Sequence, residues 1–403
     1  MTAGEIATLA TPAPSRPSVP PRKVYYDKRR SNAPLMVVGV AVLVALAAVV
    51  HHPQQAAATR GPIQRLYMPI TIDPVELSEK VRAGQFADVE AIIKNAETLA
   101  NADPRSELNL TYAMSVFAIP DPALADQLKH WAMDAPNSAL AHCARAIALD
   151  QAAAQARGHE GGPASGIPSD DFLEMEKDLS QAVTEADSAR TLDPKLMNAY
   201  LIAIDAAKME SDPVAMEEAS KRALAKFPLS LQVHESLIAS MAPKWGGSYD
   251  AMDKFAHESQ AGVMQNPMLK YLLGFPSLEQ ARDLQVEEKW DQTITVLNHA
   301  IEVGGDYAPF YTARGKSFYA LKKYTEAYAD FSTANDLMPD RADNLELMAL
   351  TTHFLDKPND ALGFSNRYLK LGEPDKEVTD VREWAIAKIL PQSASEASPT
   401  PIP

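Results

Sequence analysis

The sequence predicts an all-α protein, an α-solenoid of stacked helix pairs preceded by one transmembrane helix. Three observations predict it. Ala, Leu, Met, Glu, Asp and Lys recur throughout, while Val and Ile crowd together only in one early run, a balance that favours helix over strand. Beyond residue 73, apolar and small residues return at three- and four-residue spacing in paired blocks. Many of the 30 prolines fall between those blocks or in the two tails, where they act as punctuation. Residues 34–50 carry no polar side chain.

Residues 1–33 read as a Pro-rich, basic, extended tail on the cytoplasmic side. Arg16, Arg22, Lys23, Lys28, Arg29 and Arg30 stand against Glu5 and Asp27, a net of +4 in a chain whose total is −15. Residues 34–52 read as a transmembrane signal anchor. From Leu35 the apolar run is 16 residues, about 24 Å as helix against a hydrocarbon core of about 30 Å. Arg29, Arg30, His51 and His52 flank it and are placed to snorkel. "DKRR" precedes the run and the nearly uncharged "HHPQQAAATRGP" follows it. The positive-inside rule then puts the N-terminus in the cytoplasm and the body outside it. The expectation is a single-pass inner-membrane protein of a Gram-negative bacterium with a periplasmic body. A signal peptide cut after "AAA" at 56–58 is the competing reading.

Residues 53–72 read as a linker, and the body begins at 73. The chain after residue 50 carries about −19 of the charge, which argues against nucleic acid as partner, because phosphate binding needs a basic face. It suits other proteins or peptides. "APFYTARGKSFYALKKYTEAYADFSTANDLMPD", residues 308–340, shows the repeat most clearly. Tyr311, Phe318, Tyr324 and Phe331 are placed to fill the space between two helices. Gly315 and Ala327 let the helices approach, and Pro339 ends the second. On these residues, with Ala334, the stretch closely resembles a tetratricopeptide repeat. One period upstream, Ala281, Trp290, Leu297 and Ala300 stand in register; one period downstream, Ala349 and Ala361 do.

Residues 266–375 are thus expected to be such repeats. Residues 73–265 read as degenerate helix pairs, with an insertion at 156–171 between the two helices of one unit. Residues 376–390 read as a capping helix and 391–403 as a disordered tail. The N-terminal half carries a second resemblance. Trp131, Pro136 and Ser138, then Arg157 and Gly158, then "PKWGGS" at 243–248 occur in that order. Together they resemble an uncharacterised bacterial helical domain of unknown function with a WGGS motif, covering about 73–265. That resemblance implies a fold and no activity.

Chemistry is harder to find. The single cysteine, Cys143, forms no internal disulfide and reads as a small buried hydrophobe. The nine histidines show no ligand spacing. There is no P-loop, no GxGxxG, no GxSxG and no calcium loop. The expectation is therefore a non-enzyme with no catalytic residues, no cofactor and no metal, which binds proteins as a scaffold or assembly helper for envelope proteins. Two alternatives stand beside it: a structural subunit of a stable membrane complex, and an enzyme or small-ligand receptor using the 156–171 and 243–248 loops.

The tetratricopeptide resemblance implies that the first helix of each pair lines a peptide groove, there carrying Arg282, Thr312, Lys316, Tyr319, Glu346 and His353. Tyr319 would stack on a peptide, and Arg282 and Lys316 would pair with carboxylates. Members that grip a C-terminal carboxylate place Asn and Lys where this chain has Lys316 and Thr312. At "PKWGGS", Pro243 is expected to end a helix and Gly246 and Gly247 to take positive φ. Ser248 is expected to cap the next helix. Lys244, Trp245, Gly246, Gly247 and Ser248 form either a structural loop or, through amides and Lys244, an anion site.

Overall fold

A computed structural model describes residues 63–158, 169–372 and 375–396. The expected tail 1–33 and anchor 34–52 lie outside the described residues, as does most of the 156–171 insertion. Among the described residues there are 17 α-helices and no strand, and no helix is long and apolar enough to cross a membrane.

The helices follow in pairs. α1 (Pro74–Arg82) precedes α2 (Phe86–Ala102), and α3 (Glu107–Ser115) precedes α4 (Pro122–Asp134). The long α5 (Ala139–Arg157) and α6 (Ser169–Leu192) flank the insertion and pack along each other. Then come α7 (Asn198–Glu210) with α8 (Pro213–Lys226), and α9 (Leu231–Ser240) with α10 (Tyr249–Ser259). α11 (Phe275–Val286) pairs with α12 (Trp290–Gly304), and α13 (Ala308–Ala320) with α14 (Tyr324–Leu337). α15 (Ala342–Phe354), α16 (Pro358–Leu371) and α17 (Lys376–Glu396) complete the array. α17 continues into the stretch read as a tail.

The sequence sets these starts locally. Asp73-Pro74, Asp121-Pro122 and Asp212-Pro213 open α1, α4 and α8 in the same way. Each aspartate accepts from at least one backbone N–H of the first turn, and each proline supplies a preset φ where no N–H is needed. In the 308–340 unit, Tyr311, Gly315, Ala327, Phe331 and Ala334 are all buried. A Cβ on Gly315 would lie 2.5 Å from the Phe331 ring, so the missing side chain sets how closely α13 and α14 approach.

The odd-numbered helices also touch one another in series, α5 to α7, α7 to α9, α9 to α11 and so on to α17. They form the inner layer and the even-numbered helices the outer one. The array also closes on itself. Val75 of α1 joins the core of α15–α17. Ser78 Oγ donates to Leu371 O at 3.1 Å, and Arg82 donates to Lys370 O at 3.0 Å and to Leu371 O. Asp73 pairs with Arg367 at 3.2 Å and Glu79 with Lys370 at 3.3 Å. Ahead of α1, residues 63–72 form neither helix nor strand and run between α3 and the corners of the C-terminal pairs. There Tyr67 is buried, and Ile63, Leu66, Ile70 and Ile72 pack on a core that includes Tyr112, Tyr271, Tyr307 and Phe310.

Candidate functional site

Because the odd helices form the inner layer, their charged residues meet along one wall. α7 contributes Asp205 and Lys208, α9 contributes Glu235, α11 contributes Glu279 and Arg282, α13 contributes Lys316, and α15 contributes Asp343 and Glu346. Arg341 stands just before α15. Each group lies within electrostatic reach of the next: Lys208 feels Glu279, Glu235 feels Arg282 and Arg341, and Asp343 feels Arg341 and Lys316. The wall therefore alternates in sign.

An ion pair stands in its middle. Arg341 Nε and Nη2 donate to Asp343 at 3.1 and 3.2 Å. The two side chains keep 38% and 40% exposure, so the pair stands on a surface rather than in a core. Burial alone would depress the Arg341 pKa, but Asp343 more than offsets it and the net shift is upward. Asp343 mirrors this: burial raises its pKa, Arg341 lowers it, and the net is downward. Both stay charged.

Glu235 behaves differently. Burial pushes its carboxyl up to about 7, against the hydrogen bond donated by Tyr307. Glu107 is likewise pushed up to about 7 by burial. It accepts from Ser230 Oγ at 2.8 Å, Leu231 N at 3.1 Å and Gln232 N at 2.7 Å, so it caps the N-terminus of α9 from another repeat.

The six groove candidates divide into three kinds. Arg282 pairs with Glu279, Lys316 is exposed, and Glu346 is half-buried on the same wall. Tyr319 and His353 belong to an aromatic group at its end. Tyr319 meets Tyr324 at 5.5 Å and Phe354 at 5.8 Å, and His353 meets Trp384 edge-on at 4.4 Å. Thr312 is buried, with 5% exposure.

At the other end stands the WGGS corner. α9 ends at Ser240, and Pro243–Trp245 form a short 3-10 turn. Gly246 has φ +90°, whereas Gly247 has no positive φ. Gly247 is required for space instead, since a Cβ there would sit 1.9 Å from Met241 O. Ser248 Oγ accepts from Ala251 N at 3.1 Å and caps α10. Lys244 Nζ pairs with Glu279 at 3.1 Å, so the lysine answers a carboxylate that is itself only 3% exposed.

Trp245 is half-buried. Arg157, the last residue of α5, lies over its ring at 4.6 Å, and Lys208 at 5.7 Å. Arg157 also donates to Met209 O at 2.8 Å. The start of the insertion and the WGGS corner thus converge. Beneath them, burial and then Asp205 push the Asp150 carboxyl well up, with Lys208 opposing. Trp131, at the first position of the same ordered set, stacks on Phe86 at 4.3 Å, and Ser138 caps α5.

Sequence reasoning missed Asp150, Asp205, Lys208, Glu235, Glu279, Arg341 and Asp343. Asp343 is the second residue of its repeat and was within reach of the same counting. The others stand in upstream pairs, whose phase is irregular, or outside the counted places. Cys143 is fully buried. Among the described residues no group of three His, Cys, Asp or Glu is placed to hold a metal.

No protein-family model and no curated protein matches the chain. Solved structures similar to it include pilF of Pseudomonas aeruginosa, at 14% identity and a TM-score of 0.31, covering 59% of this chain and 99% of that one. TTC0263, a thermophilic TPR protein of Thermus thermophilus, has 18% identity and a TM-score of 0.24, covering 53% and 94%. Yeast Tom70 has 10% identity and a TM-score of 0.26, covering 79% and 96%. Likenesses this partial add nothing on partners or mechanism. The chain's own paired helices make it an all-α helical-repeat solenoid.

Proposed function

We propose that this protein is a membrane-anchored scaffold that binds other proteins along its inner wall and assists assembly or folding in the bacterial envelope. The carrying observation is the sign-alternating row of Lys208, Glu279, Arg282, Glu235, Arg341, Asp343 and Lys316 on the inner helices. An extended segment of mixed charge finds complementary partners along such a row, and charge-assisted hydrogen bonds are the strong ones. Arg282, Lys316, Tyr319, Glu346 and His353 lie on or beside it, and Thr312 lies behind it. The single-pass inner-membrane placement, with a periplasmic body, rests on the apolar run and the "DKRR" before it. The ordered Trp131, Arg157 and WGGS set supports kinship of the N-terminal half with the helical domain of unknown function.

The small-ligand alternative draws support from Arg157 meeting Trp245. Against it, Lys244 is engaged by Glu279, and Arg157 and Lys208 already cover the ring. The structural-subunit alternative differs in stoichiometry and permanence.

The test is crosslinking and mass spectrometry on intact membranes, for wild type, Arg282→Glu/Lys316→Glu and Lys316→Glu alone. Partner crosslinks on the inner wall that weaken in both variants are expected. Lys316 is exposed, so its single variant guards against a folding defect. Unchanged partners in both variants refute the inner wall as the site. A stoichiometric, detergent-stable complex favours the structural subunit.

A further inference from the structure

Residues 63–72, "IQRLYMPITI", are held in an unusual way. Their backbone is bound by side chains of the body. Gln64 N donates to Asp306 Oδ2 at 2.9 Å, and Leu66 N to the Tyr271 hydroxyl at 3.1 Å. The buried Asn109 reads the strap in both directions: its Oδ1 accepts from Thr71 N at 2.7 Å, and its Nδ2 donates to Pro69 O at 3.0 Å. Met68 N donates to Arg105 O at 2.8 Å. Ile63, Leu66, Ile70 and Ile72 supply the apolar anchors. Backbone hydrogen bonds giving affinity, with alternate side chains in pockets, is how extended peptides are recognised.

The strap is also an imperfect occupant. Tyr67 donates its own hydroxyl to Leu337 O. The neighbouring Tyr112 hydroxyl has no partner, although Tyr112 is only 4% exposed. A buried unmade hydrogen bond is a cost that a better-fitted occupant relieves.

We infer that residues 63–72 are a displaceable self-ligand: the trench between α3 and the corners before α13 and α15 docks an extended segment of a partner protein. That segment is apolar at the places of Ile63, Leu66 and Ile70. It carries an acceptor oxygen for Tyr112 at the place of Tyr67. The inference rests on the protein-binding reading but not on the inner wall. In sequence the strap lies between the expected anchor and α1.

The test uses detergent-solubilised full chain and a fluorescent peptide of the strap sequence IQRLYMPITI. Leu66→Ala/Tyr67→Ala weakens the strap and leaves every trench residue intact. Anisotropy is expected to show at least tenfold tighter peptide binding to this variant than to wild type. No binding to a variant that keeps native helix content overturns the inference. Hydrogen exchange on wild type supplies the second arm. Excess peptide is expected to speed exchange at Gln64, Leu66 and Thr71 at least tenfold and to leave buried amides of α13 unchanged. Strap amides that stay as protected as α13 also overturn it. If the peptide docks but no partner crosslinks fall on the inner wall, the trench stands and the inner-wall reading falls. If partners crosslink along the inner wall and the peptide fails to dock, the reverse holds.

Discussion

Gly247→Ala separates two kinds of glycine at one corner. The built Cβ lies 1.9, 2.5 and 2.9 Å from Met241 O, C and Cα. All three atoms are backbone, so no side chain can swing away. Restoring ordinary contact requires the corner to open by about 1.5 Å, set by the 1.9 Å approach and the 3.4 Å onset of ordinary contact. Such an opening also breaks the hydrogen bond from Gly247 N to Ala242 O at 3.2 Å. Overpacking costs about 1–3 kcal/mol and the lost hydrogen bond about 1 kcal/mol. Gly247→Ala is therefore expected to destabilise by about 3 kcal/mol, or roughly 6 °C in Tm for a chain of this size. Gly246→Ala is the control. Its Cβ meets nothing within 4 Å, and only φ +90° opposes it, a strain of about 1 kcal/mol. Thermal and urea unfolding followed by circular dichroism read both. If Gly246→Ala costs as much as Gly247→Ala, the steric reasoning at this corner is wrong.

Two further predictions concern buried groups. Glu107 and Glu235 are pushed from 4.5 to about 7 in the fold. Between those values the unfolded chain has lost its protons while the folded one keeps them. Their contribution is thus fully present below about 4.5 and falls as pH rises towards 7, by about 3 kcal/mol at most for Glu107 and less for the partly exposed Glu235. Glu107→Gln is expected to flatten that slope in urea titrations across the same range; an unchanged slope refutes the assignment. Gly315→Ala is expected to cost about 1–3 kcal/mol, because the new methyl meets the Phe331 ring at 2.5 Å. Gly315→Ala/Phe331→Leu is expected to recover part of the loss, and its failure to do so would place the strain elsewhere.

The helix pairs were legible wherever one local rule decided them. The Asp-Pro starts and the Gly315–Phe331 contact follow from residues a few turns apart, whose spacing the sequence displays. The WGGS corner was half legible. Ser248 caps as its type suggests, but the two glycines serve different ends, and only coordinates separate a φ requirement from a steric one. Lys244 had no local reason; its partner Glu279 lies on another helix. The inner wall was legible at Arg282 and Lys316, where the 34-residue count holds. It was illegible at Lys208 and Glu235, where the count slips. The strap was invisible because its anchors, Asn109, Tyr271 and Asp306, lie up to 242 positions away.

The meeting of α1 with α16 changes how such an array comes apart. Open solenoids add stability repeat by repeat and fray inward from their ends. Here Ser78 and Leu371 are 293 positions apart and hydrogen-bonded, so α1 cannot fray without uncovering α16. Closing that loop costs entropy before any contact rewards it. The same closure couples the two ends: removing α1 uncovers part of α16 as well as its own neighbour α2.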